Sequence, residues 1–263
     1  MQIRPTADLF GRALLEYLDR DCSPTPPVHL RRMDGRLTEL PLAGYFDLGL
    51  FSDMETALLS MARGRVLDLG AGAGRAALYL QDQCSPAVSE VVAVDSSPGA
   101  CECMQRRGVR QVINASWQQY LSSATGARGG ELSPAAQFDS VLLLGSGLGM
   151  SGSPAGLSAL LAAICRSLRP GGRALLTASR PETSSAAVGR MRVEYRGMLG
   201  NWFDWLFIDE TSVRDVVRGP SSGWLGGEAL SLCVGGGQSS TTGTDSEYGL
   251  VLTLPLRRSG GGH

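Results

Sequence analysis

Between residues 66 and 95 the chain reads VLDLGAGAGR, then a helical stretch, then EVVAVD. A short apolar run that stops at glycines, answered by a second apolar run that stops at a carboxylate, can enter few folds. Strand, tight turn, helix and strand at this spacing make a βαβ unit. Such units build parallel sheets covered on both faces. Gly70, Gly72 and Gly74 let the backbone turn sharply and leave room for a ligand where a Cβ would stand. The helix that starts at Arg75 presents its free N–H groups to the same place. Asp95 ends the second strand, where a carboxylate can accept hydrogen bonds from both hydroxyls of a ribose.

The alternation extends in both directions. Ser52-Asp53-Met54-Glu55 is a capping box and predicts a helix over 53–62. Helices are predicted at 75–83, from Pro98 to a stop at Gly108, and at 154–168, with strands at 65–69, 90–95 and 138–144. Pro170-Gly171-Gly172 reads as a turn before a strand at 173–178. Upstream, 9–18 has a helical apolar pattern, and 28–40 reads as a hairpin turning at Asp34-Gly35. Past Pro181 the pattern changes. Residues 191–195 and 202–208 read as a hairpin joined across 197–200, followed by a helix at 211–217 and closing strands at 228–234 and 248–254. The Gly/Ser/Thr-rich stretches 122–136 and 235–245 read as surface loops, and 259–263 as a disordered tail. The fold class expected is α/β: a Rossmann-like, doubly wound, mainly parallel seven-stranded sheet with an antiparallel last strand.

Composition excludes several functions. The 263 residues carry a formal net charge of −1, so nothing draws the chain as a whole to nucleic acid or an anionic membrane. No apolar run is long enough to span a bilayer, and the N-terminus lacks a leader's architecture, so a cytoplasmic location is expected. Six cysteines and two histidines form no zinc pattern, and no metal is expected. Cys101 and Cys103 lie two apart on one predicted helix, which should bury one and expose the other. A dinucleotide fingerprint starting at Gly70 would need glycine where the chain has Arg75, and a P-loop would need a lysine, of which the chain has none. A literal GxGxxG at Gly147–Gly152 is followed by a strand that ends without a carboxylate. It reads as a flexible turn beside the ligand.

A GxGxG loop with Asp68 upstream suits a nucleoside whose tail is an amino-acid end, because a carboxylate can hold an ammonium. VLDLGAGAGR with VVAVD resembles motifs I and II of the class I S-adenosylmethionine-dependent methyltransferases. FDSVLLLGSGLGM resembles their motif IV, and LRPGGRALLT their strand-5 motif. YFDLGLFSDMETALL and EYRGMLGNWFDWL resemble segments of a small-molecule subgroup. The resemblance implies a fold over 1–258 with an N-terminal cap (1–51), a donor-binding core (52–180), a hairpin insertion (181–209) and closing elements (210–258). It implies S-adenosylmethionine as methyl donor, held by Asp68, Gly70, Ala71, Gly72, Gly74, Asp95, Ser96, Leu144 and Gly145. Ser116 and Trp117 stand where the family places its adenine-contacting turn, although many members have Asp at the position of Ser116. Tyr45, Phe46, Tyr195, Trp202 and Trp205 suit a mostly apolar pocket for a small organic acceptor. His29 and Tyr45 are the candidates for a general base. The alternatives are a non-catalytic donor-binding protein and a Rossmann-fold oxidoreductase. Neither the acceptor nor the oligomeric state is legible.

Overall fold

The computed structural model describes residues 8–22, 25–82, 87–124, 137–182, 186–219, 224, 228–232 and 247–254. The surface loop expected at 235–245, the tail at 259–263 and most of the loop expected at 122–136 lie outside them. Residues 122–124 instead close a helix.

Among the described residues the principal sheet has seven strands. They are β3 (Gly64–Leu69), β4 (Val88–Asp95), β5 (Val112–Asn114), β6 (Phe138–Leu143), β7 (Leu168–Ser179), β11 (Glu228–Leu232) and β12 (Glu247–Thr253). Their order is β11-β12-β7-β6-β3-β4-β5, with β3, β4, β5, β6 and β7 parallel and β12 antiparallel to both its neighbours. Side chains alternate along each strand and feed two cores. Leu67, Leu69, Leu143 and Leu176 pack against α6 (Trp117–Ala124), α7 (Pro154–Ser167) and α8 (Glu210–Arg218). Val66, Ala93, Leu142 and Leu175 pack on the opposite face, with α3 (Asp53–Ser60), α4 (Arg75–Asp82) and α5 (Pro98–Arg106). The doubly wound sheet is thus the one the sequence predicts. The capping box of α3 is complete, with both the Ser52 and Glu55 halves formed.

A second sheet, wholly antiparallel, covers the carboxyl edge. Its strands are β1 (Val28–Arg32), β2 (Leu37–Leu40), β8 (Ala187–Tyr195), β9 (Met198–Leu199) and β10 (Phe203–Phe207), in the order β10-β8-β1-β2 with β9 also on β8. The sequence predicts two separate hairpins. The structure joins them through β1 and β8, with Val28 opposite Tyr195. The later hairpin pairs β8 with β10 as expected, and the connection through 197–200 contains β9, which folds back on β8 by a turn at Arg196-Gly197, both at positive φ. Trp202 lies just outside β10, under the Arg192 guanidinium at 4.4 Å. Pro170-Gly171-Gly172 is an irregularity within β7 and no break in it, because pairing with β6 slips from Phe138–Leu168 to Ser140–Arg173.

α1 (Leu9–Asp19) lies along α5, and the two backbones touch at Gly11 and Gly99. A Cβ on Gly99 would stand 2.6 Å from the carbonyl carbon of Gly11. This contact corrects the expectation for the cysteines. Cys101 faces the sheet and Cys103 faces α1, so both are buried.

Candidate active site

The loop after β3 is the floor of the site. Gly70, Gly72 and Gly74 have φ of +71°, +58° and +80°, a region that costs any residue with a Cβ. The amides of Gly70 and Ala71 both donate to the carbonyl of Val94, tying the loop to β4. The Gly72 amide donates to Asp95 Oδ2 at 2.9 Å, and the Ser97 amide to Asp95 Oδ1 at 2.9 Å. Burial raises the Asp95 carboxyl above its ordinary range, and those two amides oppose the rise. Ser96 lies between the two strand-end contacts of Asp95 and Ser97.

Asp68 is buried on the α3–α4 face of β3, and its Oδ2 has no hydrogen-bond partner. Burial first, and the nearby Asp95 second, push its carboxyl up to about 7. A buried carboxylate oxygen without a donor is costly, and natural folds seldom leave one so unless something else supplies the donor.

Above the loop stands α2 (Ala43–Phe46), a single turn missed by the sequence. The Tyr45 ring rests over Gly72, and a Cβ there would come within 3.1 Å of Cδ1. Burial pushes the Tyr45 phenol up to about 12, with Arg75 opposing and the charges of Asp95 and Glu247 adding. Phe46 is buried against Tyr17. Arg107, at the C-terminus of α5, holds this turn in place. It donates to the carbonyls of Tyr45, Phe46 and Ala73, and its guanidinium lies over the Phe46 ring. Arg75 pairs with Glu55 at 2.7 Å, which fixes α3 against the start of α4.

The opposite wall is the turn after β6. Leu144 and Gly145 lead into a 3-10 helix, Gly147–Ser151. Its glycines admit close neighbours. Leu143 fills the space over Gly147, and the Trp205 indole fills the space over Gly149. The literal GxGxxG is therefore a packing surface for β10, not a flexible turn. Met150 reaches back over Gly70, where its Sδ would lie 2.8 Å from a Cβ.

The remaining predicted residues are more dispersed. Ser116 caps α6, its Oγ accepting from the Gln119 amide. Trp117 is part-buried beside the α6–α7 core, and its buried Nε1 has no partner. Tyr195 is fully buried in the core beneath α1. His29 sits in the middle of β1, between Glu39 and Glu194 of the flanking strands, on the second sheet. Among the described residues no three His, Cys, Asp or Glu side chains gather as a metal site. No described helix is long and apolar enough to cross a membrane.

Sequence reasoning missed Asp8, Arg107, Ser146, Met150 and Glu247. Asp8 caps α1 and also accepts from the Ser97 hydroxyl and the Gly99 amide, fastening α1 beside Asp95. Only the cap of α1 carries a local signal, an Asp just before an apolar helical run.

Residues 66–172 match the family model of a methyltransferase domain. No curated protein matches the sequence. Among solved structures, an S-adenosylmethionine-dependent methyltransferase from Bacteroides fragilis, in complex with S-adenosylhomocysteine, is 25% identical with a TM-score of 0.74. That match covers 97% of this chain and 98% of the other. The 1,6-didemethyltoxoflavin N1-methyltransferase of Burkholderia thailandensis shares the fold at 18% identity and a TM-score of 0.52, over 97% and 93% of the two chains. A methyltransferase from Clostridium acetobutylicum shares it at 11% and 0.54, over 81% and 96%. Residues 66–172 thus match a methyltransferase domain, and the strand order and glycine loop of the chain are similar to those of S-adenosylmethionine-dependent methyltransferases.

Proposed function

We propose that the enzyme transfers the donor's methyl group to a small organic acceptor, and that the loop Gly70–Gly74, Asp68 and Asp95 hold the donor. The observation that carries the reading is Asp68 Oδ2. It is a buried, unpartnered carboxylate oxygen beside three left-handed glycines, and it fits the ammonium of an amino-acid tail. Asp95 keeps lone pairs beyond the two amides it accepts, and these suit ribose hydroxyls. Ala71, Ser96, Leu144 and Gly145 border the same space. Ser116 and Trp117 stand at the end of β5, where an adenine would lie.

S-adenosylmethionine supplies an electrophilic methyl carbon on a positively charged sulfur. What this chain contributes is placement. Tyr45 and the Arg107 latch close over the loop, and Met150 and Trp205 wall the far side. Aligning an acceptor there is the main source of rate. The half-buried aromatic surface of Tyr45, Trp202 and Trp205 favours a small molecule over a polynucleotide, whose phosphates call for a basic groove.

Calorimetry with S-adenosylmethionine, S-adenosylhomocysteine, NAD and ATP tests the donor site. Both sulfur nucleosides should bind, and Asp95→Ala should weaken them about tenfold to a hundredfold while the fold survives. Tight NAD binding with no binding of either sulfur nucleoside would refute the reading.

A further inference from the structure

One half-buried acid in this cleft is used neither by the loop nor by any ion pair. Glu247 begins β12, at the carboxyl edge of the sheet, with its backbone paired to Ser179. Its Oε1 accepts from the Ser146 amide at 2.6 Å and from the Ser146 hydroxyl at 3.0 Å. The same amide is shared with Thr177 Oγ1 at 2.7 Å, and the Ser179 hydroxyl lies 2.6 Å from that of Ser146. Ser146 holds φ of +60°, a conformation a non-glycine residue keeps only when its surroundings enforce it. The Ser146 amide and hydroxyl thus seat the carboxylate, and Thr177 and Ser179 in turn hold Ser146.

No cation answers it. The neighbouring charge that acts on Glu247 most strongly is Glu55, which repels it, and Glu55 is itself paired with Arg75. Among the described residues no arginine or histidine lies within ion-pair distance of Glu247. Its position is at the carboxyl edge of the sheet, against the turn that follows β6. Ser146 follows the turn after β6, the strand next to β3. Glu247 also acts electrostatically on the Tyr45 phenol, whose ring covers Gly72. A half-buried carboxylate without a cation, held by the hydroxyl and amide donors of Ser146 and by Thr177, is placed to receive a proton.

We propose that Glu247 is the acceptor-side carboxylate of the methyl transfer, and that the acceptor presents an amine to it. This rests on the donor reading given above. The amine lone pair forms a bond to the methyl carbon. The carbon–sulfur bond breaks, and its electron pair stays on sulfur as a neutral thioether. The N–H proton passes to the Glu247 carboxylate, so charge and atoms balance.

The test needs no acceptor. Sinefungin is a donor analogue in which a carbon bearing an amine replaces the sulfonium and its methyl. It shares the nucleoside and the amino-acid tail with S-adenosylhomocysteine, so the ratio of their dissociation constants isolates the amine. The wild-type protein should bind sinefungin at least tenfold more tightly than S-adenosylhomocysteine. Glu247→Gln should bring the ratio within about threefold of unity and leave S-adenosylhomocysteine affinity unchanged. Equal affinities in the wild type, or a preference that persists in a folded Glu247→Gln, would overturn the assignment. The wild-type ratio decides even where the variant fails to fold. Binding of neither ligand to the wild type would instead refute the donor site itself.

Discussion

The three loop glycines share positive φ but should fail differently when each is given a methyl group. Left-handed backbone costs a residue with a Cβ about 1–2 kcal/mol at each position. What the new Cβ meets sets the rest. At Gly70 it meets the Sδ and Cε of Met150 at 2.8 and 2.9 Å, the free end of a flexible side chain that can swing aside. At Gly74 it meets Val109 Cγ2 at 2.7 Å and Met104 Cγ at 2.9 Å, both close to their own backbones and buried in the α4–α5 core. Overpacking of that kind adds about 1–3 kcal/mol. Gly70→Ala should therefore cost about 1–2 kcal/mol, and Gly74→Ala about 2–5 kcal/mol. For a chain of this size each kcal/mol lowers Tm by about 2–4 °C, so Gly74→Ala should melt on the order of 10 °C low and Gly70→Ala about 5 °C low. Ligand affinity should rank the other way. Gly70 borders the donor space, whereas the missing Cβ of Gly74 points into packing. Urea denaturation paired with S-adenosylhomocysteine calorimetry reads both rankings. A Gly70→Ala protein as unstable as Gly74→Ala, or a Gly74→Ala protein of wild-type stability, would refute the assignment of Gly74 to packing.

Three further outcomes follow from particular side chains. The Asp68 carboxyl rises in the fold from 3.8 to about 7, so the unfolded chain ionises first and stability falls as pH climbs from about 4 to 7, by up to about 4 kcal/mol. Asp68→Asn should flatten that part of the pH–stability curve, gain stability at pH 8 and weaken S-adenosylhomocysteine binding; an unchanged curve would show that Asp68 is not the group that titrates. Arg107→Met removes the latch on the carbonyls of Tyr45, Phe46 and Ala73 and should cost at least about 2 kcal/mol. Hydrogen exchange over residues 43–47 should quicken, with partial recovery in Arg107→Lys, and unchanged exchange would mean that the cap is held by its apolar contacts alone. Trp205→Ala empties the space over Gly149 and should impair turnover while S-adenosylhomocysteine affinity stays within about threefold of wild type; loss of donor binding in the folded variant would move Trp205 to the donor side.

The parts of this site that the sequence discloses are those made by neighbours in the chain. A strand, three glycines and a helix start occupy eleven consecutive residues, so their geometry follows from local rules, and Asp68 and Asp95 are found by where their strands stop. The capping box at Ser52 and the hairpin at Asp34-Gly35 are legible for the same reason. Local rules also mislead where a distant segment decides the outcome. Pro170-Gly171-Gly172 has the composition of a turn, yet β6 holds both sides of it in one strand. Cys103 sits on what looks like the outer face of α5, and nothing near it in sequence reveals that α1 will cover that face.

Period-two patterning says which side of a strand is apolar but not which strand lies beside it. The hairpins carrying β1 and β8 could therefore be expected separately while their union could not. That union matters for chemistry, because it sets one continuous sheet over the carboxyl edge, beside the α2 turn that rests on the glycine loop. The Arg107 latch spans 61 and 62 residues to the α2 carbonyls, and the Ser146–Glu247 contact spans 101. Neither has a spacing that a motif could encode. Glu247 is preceded by a Gly/Ser/Thr-rich stretch and followed by YGLVLTL, so in the sequence it is only the polar start of an apolar strand. Its meaning arises when β12 enters antiparallel between β7 and β11. That insertion reverses the strand, so that its first residue, and not its last, arrives at the edge where every parallel strand ends. A carboxylate at the N-terminus of β12 is in this way the positional equivalent of Asp95 at the C-terminus of β4, one on each side of the loop.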